Sequence, residues 1–287
     1  MKLNKKTKLV FILVSFFLIG LAVPSYSWTR KNVKEIETFY NSKLSPIIMI
    51  PGSSATENRF DGLVRKLNQD CRGVKHSLLK VKVWNNGRIT FEGKIKDKDN
   101  EPVIVIGFEN NKDGYNNIKK QTKMMNQAFE ALQNKYNFNN FKGLGHSNGG
   151  LIYTAFIENY LSDYDVKINS LMTIGTPYNF TETNIKNKSV MLADFIAAKE
   201  NIPSTLHVYS VAGTITYDSD ELVPDASVSA GKYIYQNQAK SYTEITVTGE
   251  DAQHSDLPTN DEVVELIKQH IEGQGVRKKQ KTNLEPQ

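Results

Sequence analysis

The sequence predicts an α/β domain whose central sheet is mostly parallel and flanked by helices. Short apolar runs alternate with longer amphipathic segments, which is the pattern of strands and helices in such a domain. Several of the short runs are apolar without interruption, as strands buried on both faces should be. Residues 81–95 instead alternate about Asn85-Asn86-Gly87, and this predicts an antiparallel hairpin at the edge of the sheet.

Each predicted element follows from its own periodicity. Apolar runs predict strands at residues 47–50, 103–106, 138–144, 171–174, 206–211 and 243–247. Apolar residues at helical spacing predict helices over residues 57–67, 118–136, 151–161, 190–198 and 261–271. Asn260 precedes the last of these helices and is expected to cap it.

The N-terminal segment has the order of charged and apolar residues that is typical of a secretory signal. Four lysines within the first eight residues precede an apolar run over residues 9–23. This run of roughly 15 residues is shorter than the about 20 that a membrane span needs, and Ser25 and Ser27 offer a cleavage site before Trp28. We therefore predict a cleaved signal over residues 1–27 and an extracellular or cell-surface protein. Retention as an N-terminal anchor is the alternative, because the cleavage signal is weaker than Ala-x-Ala.

Charge and polarity indicate the character of the rest of the chain. The formal charge is +5, but the four signal lysines and the +3 of residues 274–287 leave the folded body at about −2, without the basic excess that nucleic-acid binding needs. Residues 28–45 are polar and predict a linker or a short lead-in helix ahead of a domain over residues 46–273. We expect the basic tail to be disordered and solvated, with adsorption to an anionic cell wall or lipid surface as the alternative.

Cysteine content excludes two classes of stabilising site. Cys71 is the only cysteine, so no disulfide can form within the chain. The sequence has no Cys/His cluster at zinc spacing. We expect a monomer stabilised by its core, with no metal and no cofactor.

Gly145-His146-Ser147-Asn148-Gly149 matches the G-x-S-x-G pattern of a nucleophilic serine. The pattern stands between a predicted strand and a predicted helix, which is the context that a nucleophile elbow requires. The two outer glycines remove side chains that would collide in such a strained turn. A helix N-terminus also points backbone N–H groups at the anion that forms in acyl transfer. The sequence predicts that Ser147 is the nucleophile, and a plain glycine-rich turn is the alternative.

A serine nucleophile needs a base within hydrogen-bond reach, and chain order selects one histidine. After a G-x-S-x-G elbow the order is serine, acid, histidine, which excludes His76. His146 is held beside the serine with the wrong reach, while His207 and His270 lie in a predicted strand and helix. His254 remains, in a polar loop before the last helix. A solvated loop histidine is the alternative.

The acid should lie in the loop after the strand at residues 206–211, because it must hold the base in the correct tautomer. That loop offers Asp218, Asp220, Glu221 and Asp225. We prefer Asp220, which stands just ahead of an apolar pair and a proline that can stiffen the loop. Asp218 remains the alternative.

The oxyanion donors are predicted at two backbone positions. A second donor is expected in the loop after the first strand, where Gly52 allows the backbone to turn its N–H groups toward the site. The N–H groups of Ser53 and Asn148 would then form the oxyanion hole. A plain strand-to-helix turn is compatible with the same residues.

Residues 178–203 form a mostly polar insertion at the position of a cap over the site. Its helical part carries the apolar residues Val190, Met191, Leu192, Phe195 and Ile196. These side chains either line an acyl pocket or pack on the body of the domain, and the sequence favours neither.

Together these motifs resemble the α/β-hydrolases, and more narrowly the exported Gram-positive family of cell-surface hydrolases of unknown function (DUF915-like). The resemblance covers about residues 46–271 and rests on Pro51-Gly52, Gly-His-Ser-Asn-Gly-Gly around Ser147, Gly175-Thr176-Pro177, Ser219-Asp220 with Val223-Pro224, and His254-Ser255. It implies Ser147, Asp220 and His254 as nucleophile, acid and base. The chain departs from the family at Pro51, where histidine is common, and at Glu221, where glycine is common.

The expected activity is cleavage of a small or lipid-like carboxylic ester through an acyl-enzyme. A lipase, thioesterase, peptidase or acyltransferase acting on a cell-envelope substrate would use the same three side chains, so these remain alternatives. A non-catalytic surface binding protein of the same fold is the other alternative. It would be expected to lack one of the three residues, and none is missing here.

Overall fold

The computed structural model describes residues 4–69, 74–184, 186–215 and 217–272. The chain divides into two compact units, residues 1–42 and residues 43–287. Cys71 and the predicted disordered tail, residues 274–287, lie outside the described residues.

The first unit contains one helix, α1 (Lys5–Tyr40), capped at its start by the side chain of Asn4. Among the described residues it is the one helix long and apolar enough to cross a membrane, a property that signal sequences share. The helix passes through Pro24 without interruption, so residues 28–40 are helical rather than an extended linker. A Lys31–Glu35 pair with its charged atoms 3.8 Å apart lies one turn apart along this polar segment and supports the helix.

In the described part of the second unit, one sheet of eight strands is accompanied by seven α-helices. The strands are β1 (Ile47–Ile50), β2 (Leu78–Val83), β3 (Ile89–Gly93), β4 (Val103–Phe108), β5 (Asn140–His146), β6 (Lys167–Ile174), β7 (His207–Thr214) and β8 (Ser241–Thr248). The helices are α2 (Asp61–Gln69), α3 (Tyr115–Tyr136), α4 (Asn148–Asn159), α5 (Val190–Ala198), α6 (Asp225–Ser229), α7 (Lys232–Tyr235) and α8 (Asp261–His270).

The strand order is β3-β2-β4-β1-β5-β6-β7-β8, and every neighbouring pair is parallel except β2 with β3. The predicted edge hairpin is therefore confirmed, with Val83 opposite Ile89 and the turn at Gly87 in positive φ. The predicted α/β class, with a mostly parallel sheet, is confirmed as well. The C-terminal ends of all the parallel strands lie on the same side of the sheet. The loops that follow β1, β5, β6, β7 and β8 on this side hold the candidate site.

Helices cover both faces of this sheet, because successive side chains of a buried strand point to opposite faces. In β1, Ile48 and Ile50 enter the core shared with α3, α4 and α5. Ile47 and Met49 enter a second core, shared with α2 and α8. The uninterrupted apolar runs of the central strands follow from this double burial.

The structure moves the start of one predicted helix and shows how part of the insertion packs. Helix α2 begins at Asp61 rather than at residue 57, because the preceding residues form turns that include a hydrogen bond from the Arg59 N–H to the Thr56 carbonyl. Helix α5 has the predicted bounds, but Met191, Leu192 and Phe195 are buried in the core on the α4 side. These three side chains therefore pack on the body of the domain, whereas Val190 is 73% exposed.

His76 lies two residues before β2 and contacts residues before β4 and after α8. Its Nδ1 lies 2.6 Å from the Glu101 carbonyl and its Nε2 lies 3.0 Å from the Glu272 carboxylate. A carbonyl and an ionised carboxylate are both acceptors, so this pair of contacts favours the protonated ring, which can donate from both nitrogens. Burial alone would lower the pKa of His76, but its bonds to Glu272 and Glu101 and the charges of both residues raise that pKa above its ordinary value.

Candidate active site

Ser147 lies in a sharp turn between β5 and α4. Its φ of 55° and ψ of −129° are outside the regions that a serine normally adopts, as expected for a residue held in strain by its surroundings. The turn is anchored by a 2.8 Å hydrogen bond from the Ser147 N–H to the Ile174 carbonyl of β6. Ser147 thus stands at the strand-turn-helix position that the sequence predicted.

Several positions around this turn have no room for a side chain and therefore require glycine. A Cβ on Gly52 would lie 2.6 Å from the Cβ of Ser147. A Cβ on Gly145 would lie 2.6 Å from the N atom of Gly150, and one on Gly149 would collide with the Ile50 carbonyl. The first and last glycines of the motif therefore let α4 pack tightly against β1 and β5. The same contacts place the loop after β1 directly against the serine.

Asp220 and His254 form a buried pair near the ends of β7 and β8. The Nδ1 atom of His254 lies 2.6 Å from Oδ2 of Asp220, and the aspartate is 1% exposed. Its other oxygen, Oδ1, accepts hydrogen bonds from the N–H groups of Val223 at 2.7 Å and Leu222 at 3.1 Å. The apolar pair that follows Asp220 in the sequence thus orients the carboxylate through its backbone.

The two acids that the sequence left open lie in different surroundings. Asp218 is exposed, and its backbone carbonyl accepts from the Asp225 N–H. Asp220 is the one of the two that contacts His254.

His146 contacts His254, which the sequence did not predict. Its Nε2 atom lies 2.9 Å from the backbone carbonyl of His254, and the two rings are 4.9 Å apart at 37°. Burial is the main cause that lowers the pKa of His146 well below its ordinary value, and the nearby charges of His254 and Arg59 act in the same direction. The ring is therefore neutral. In the sequence, the position of His146 next to Ser147 was the one feature that pointed to this contact.

Gly175 follows directly after β6 and lies against the His254–Asp220 pair. Its φ is 56°, and an added Cβ would lie 3.1 Å from both Oδ2 of Asp220 and Nδ1 of His254. A glycine is needed here for both reasons, the backbone angle and the close approach. The Gly175-Thr176-Pro177 motif is thus part of the packing around the site, a role that the sequence did not assign.

The predicted oxyanion donors belong to the residue after Ser147 and to the loop after β1. Asn148 is the first residue of α4, so its N–H has no partner within the helix. Ser53 follows Gly52, whose Cα lies against Ser147. The structure also adds Asp113, whose Oδ1 accepts from the side chain of Asn148 at 2.6 Å. This bond fixes the side chain of the residue whose backbone N–H is the predicted donor.

The remaining histidines have contacts elsewhere. His76 bonds Glu101 and Glu272, His207 lies 2.8 Å from the Ser241 hydroxyl, and His270 stacks on Tyr209. Within the described ranges, no group of three or more His, Cys, Asp or Glu side chains could hold a metal ion.

Comparison with known proteins agrees with this architecture. The model of the family described as alpha/beta hydrolase of unknown function (DUF915) matches residues 34–274. A "putative cell surface hydrolase" from Lactobacillus plantarum WCFS1 is 49% identical, with a TM-score of 0.74 over 82% of this chain and 96% of that chain. The product of gene lin2722 from Listeria innocua is 30% identical, with a TM-score of 0.72 over 78% and 92% of the two chains.

No curated protein matches the chain. The family model nevertheless spans most of the sequence, and it confirms the resemblance that the motifs indicated. The chain belongs to the DUF915 family of α/β hydrolases, whose function is unknown.

Proposed function

We propose that this protein is a serine hydrolase that cleaves carboxylic esters with Ser147, His254 and Asp220. One observation carries the proposal: the elbow serine and the buried His254–Asp220 pair lie in loops that are bonded to each other through His146. Membership in an α/β-hydrolase family supports hydrolysis in general. The ester specificity is our inference from the three side chains.

In the proposed reaction, Ser147 Oγ attacks the acyl carbon and its proton passes to Nε2 of His254. The negative charge on the carbonyl oxygen would be bound by the N–H groups of Ser53 and Asn148. His254 then returns the proton to the leaving alcohol, which leaves an acyl-enzyme. Water attacks this ester while His254 again removes a proton, and the carboxylic acid is released. Asp220 stabilises the imidazolium in both steps.

We further propose that the protein acts outside the cytoplasm, on a substrate of the cell envelope or its surroundings. The apolar start of α1 supports export, and the Lactobacillus relative is named as a surface protein. N-terminal sequencing of the protein recovered from a Gram-positive culture tests this. A chain that begins at Trp28 supports cleavage, while an intact N-terminus in the membrane fraction indicates a retained anchor. Recovery of an intact chain in the cytosol would contradict export.

An alkyl fluorophosphonate probe tests the nucleophile directly. The wild-type protein should be labelled, and Ser147→Ala should not. The exposed Ser162 provides a matched control, since Ser162→Ala should label like wild type. A folded wild-type protein that stays unlabelled would contradict the proposal. A panel of acyl esters of increasing chain length, with a thioester and an amide of the same acyl group, then identifies the class of substrate.

A further inference from the structure

His146 has one bonded and one unbonded ring nitrogen. Its Nε2 faces the His254 carbonyl at 2.9 Å, and a carbonyl can only accept, so Nε2 carries the hydrogen. Its Nδ1 is then a bare acceptor, buried and without a hydrogen-bond partner among the residues that the structure describes. A buried acceptor without a partner is uncommon in folded proteins. A gain in folding stability is therefore a poor explanation for a histidine at position 146.

The hydrogen bond from His146 is the second of two bonds that hold the backbone of His254. The N–H of His254 donates to the Asp220 carbonyl at 3.0 Å, and its C=O accepts from His146. Both polar groups of the base residue are thus held, one by the acid residue and one by the neighbour of the serine. Since a side chain leaves the backbone at its Cα, fixing both groups limits how the imidazole can turn toward Ser147.

The charge state of His146 also suits this position. The reaction places a positive charge on His254, and a second charged imidazole 4.9 Å away would oppose it. Burial keeps His146 neutral, and the charge of Arg59 acts in the same direction. A neutral ring that donates one hydrogen bond can support the base without competing for its proton.

We propose that His146 is a positioning residue for the base: its Nε2–H holds the His254 carbonyl and thereby sets the direction of the imidazole toward Ser147. The inference rests on the proposed function. It assigns no contact with substrate to His146.

Two variants separate this role from simple packing. Gln can place an N–H near the position of Nε2, whereas Leu fills similar space without a donor. We expect His146→Leu to lower kcat on the best ester by on the order of 10- to 100-fold with KM little changed, because a small misplacement of a catalytic group has effects of this size. His146→Gln should recover most of the rate. His207→Leu, far along β7, is the matched control and should keep the wild-type rate.

A second measurement does not depend on activity. Nitrogen-15 NMR of the five histidines at pH 7.5 should show His146 as the neutral Nε2–H tautomer, with a slowly exchanging Hε2. A protonated ring or the Nδ1–H tautomer would overturn the inference. So would a folded His146→Leu protein with wild-type kcat, or a His146→Gln protein no better than His146→Leu. An unlabelled wild type in the fluorophosphonate assay instead defeats the proposed function, and the two failures are thereby distinguished.

Discussion

Replacing Asp220 by Asn should remove the base function of His254 while leaving the loop intact. The Oδ1 atom of Asp220 accepts from the N–H groups of Val223 and Leu222, so the amide oxygen of Asn must occupy that position. The NH₂ group then faces Nδ1 of His254, which must become the bare acceptor. The imidazole proton moves to Nε2, and His254 can no longer accept the proton of Ser147.

The expected loss is about 10⁴-fold in kcat, the size that follows when a triad histidine is held in the wrong tautomer. This corresponds to about 5 kcal/mol of lost transition-state stabilisation. Ester turnover and the rate of fluorophosphonate labelling both measure it, with circular dichroism to show that the variant is folded. The exposed Asp218 supplies the control, since Asp218→Asn should stay close to the wild-type rate. An Asp220→Asn enzyme within tenfold of wild type would refute the assignment of the acid.

Three further predictions concern stability and packing. Gly175→Ala should destabilise the fold by about 1–2 kcal/mol in urea unfolding, because alanine at positive φ is strained. It should also lower kcat. An unchanged unfolding free energy and an unchanged kcat would contradict the close approach of Gly175 to Asp220 and His254. The raised pKa of His76 means that its stabilising effect is complete below pH 6.5 and is lost as pH rises through the raised value. His76→Gln should therefore flatten the decline of the urea midpoint above pH 6.5, whereas His207→Gln should not. Leu192→Ala should lower the free energy of unfolding by about 2–5 kcal/mol, because Leu192 is fully buried. The preference for acyl chain length should not change. A changed preference would indicate that the insertion lines the acyl site.

Local periodicity was enough to predict most of the fold. Strands buried on both faces must be apolar throughout, and helices packed on one face must be amphipathic, so both patterns are visible in short stretches of sequence. The cap residue Asn260 and the hairpin turn at Gly87 were predictable for the same reason, since each depends on a few neighbouring residues. The start of α2 was not, because residues 56–60 form turns that the apolar spacing does not reveal.

The sequence by itself determined the fold class and predicted the elbow at Ser147 and His254 as the base, because periodicity and chain order are properties of the chain. Only the tertiary structure showed that Asp220 rather than Asp218 contacts His254, since this depends on which carboxylate meets His254 across 34 positions of sequence. It also decided that the insertion packs on the domain and that His146 holds a carbonyl 108 positions away. These contacts join loops that are distant in sequence and leave no local pattern, and the packing of the parallel strands brings them to one edge of the sheet.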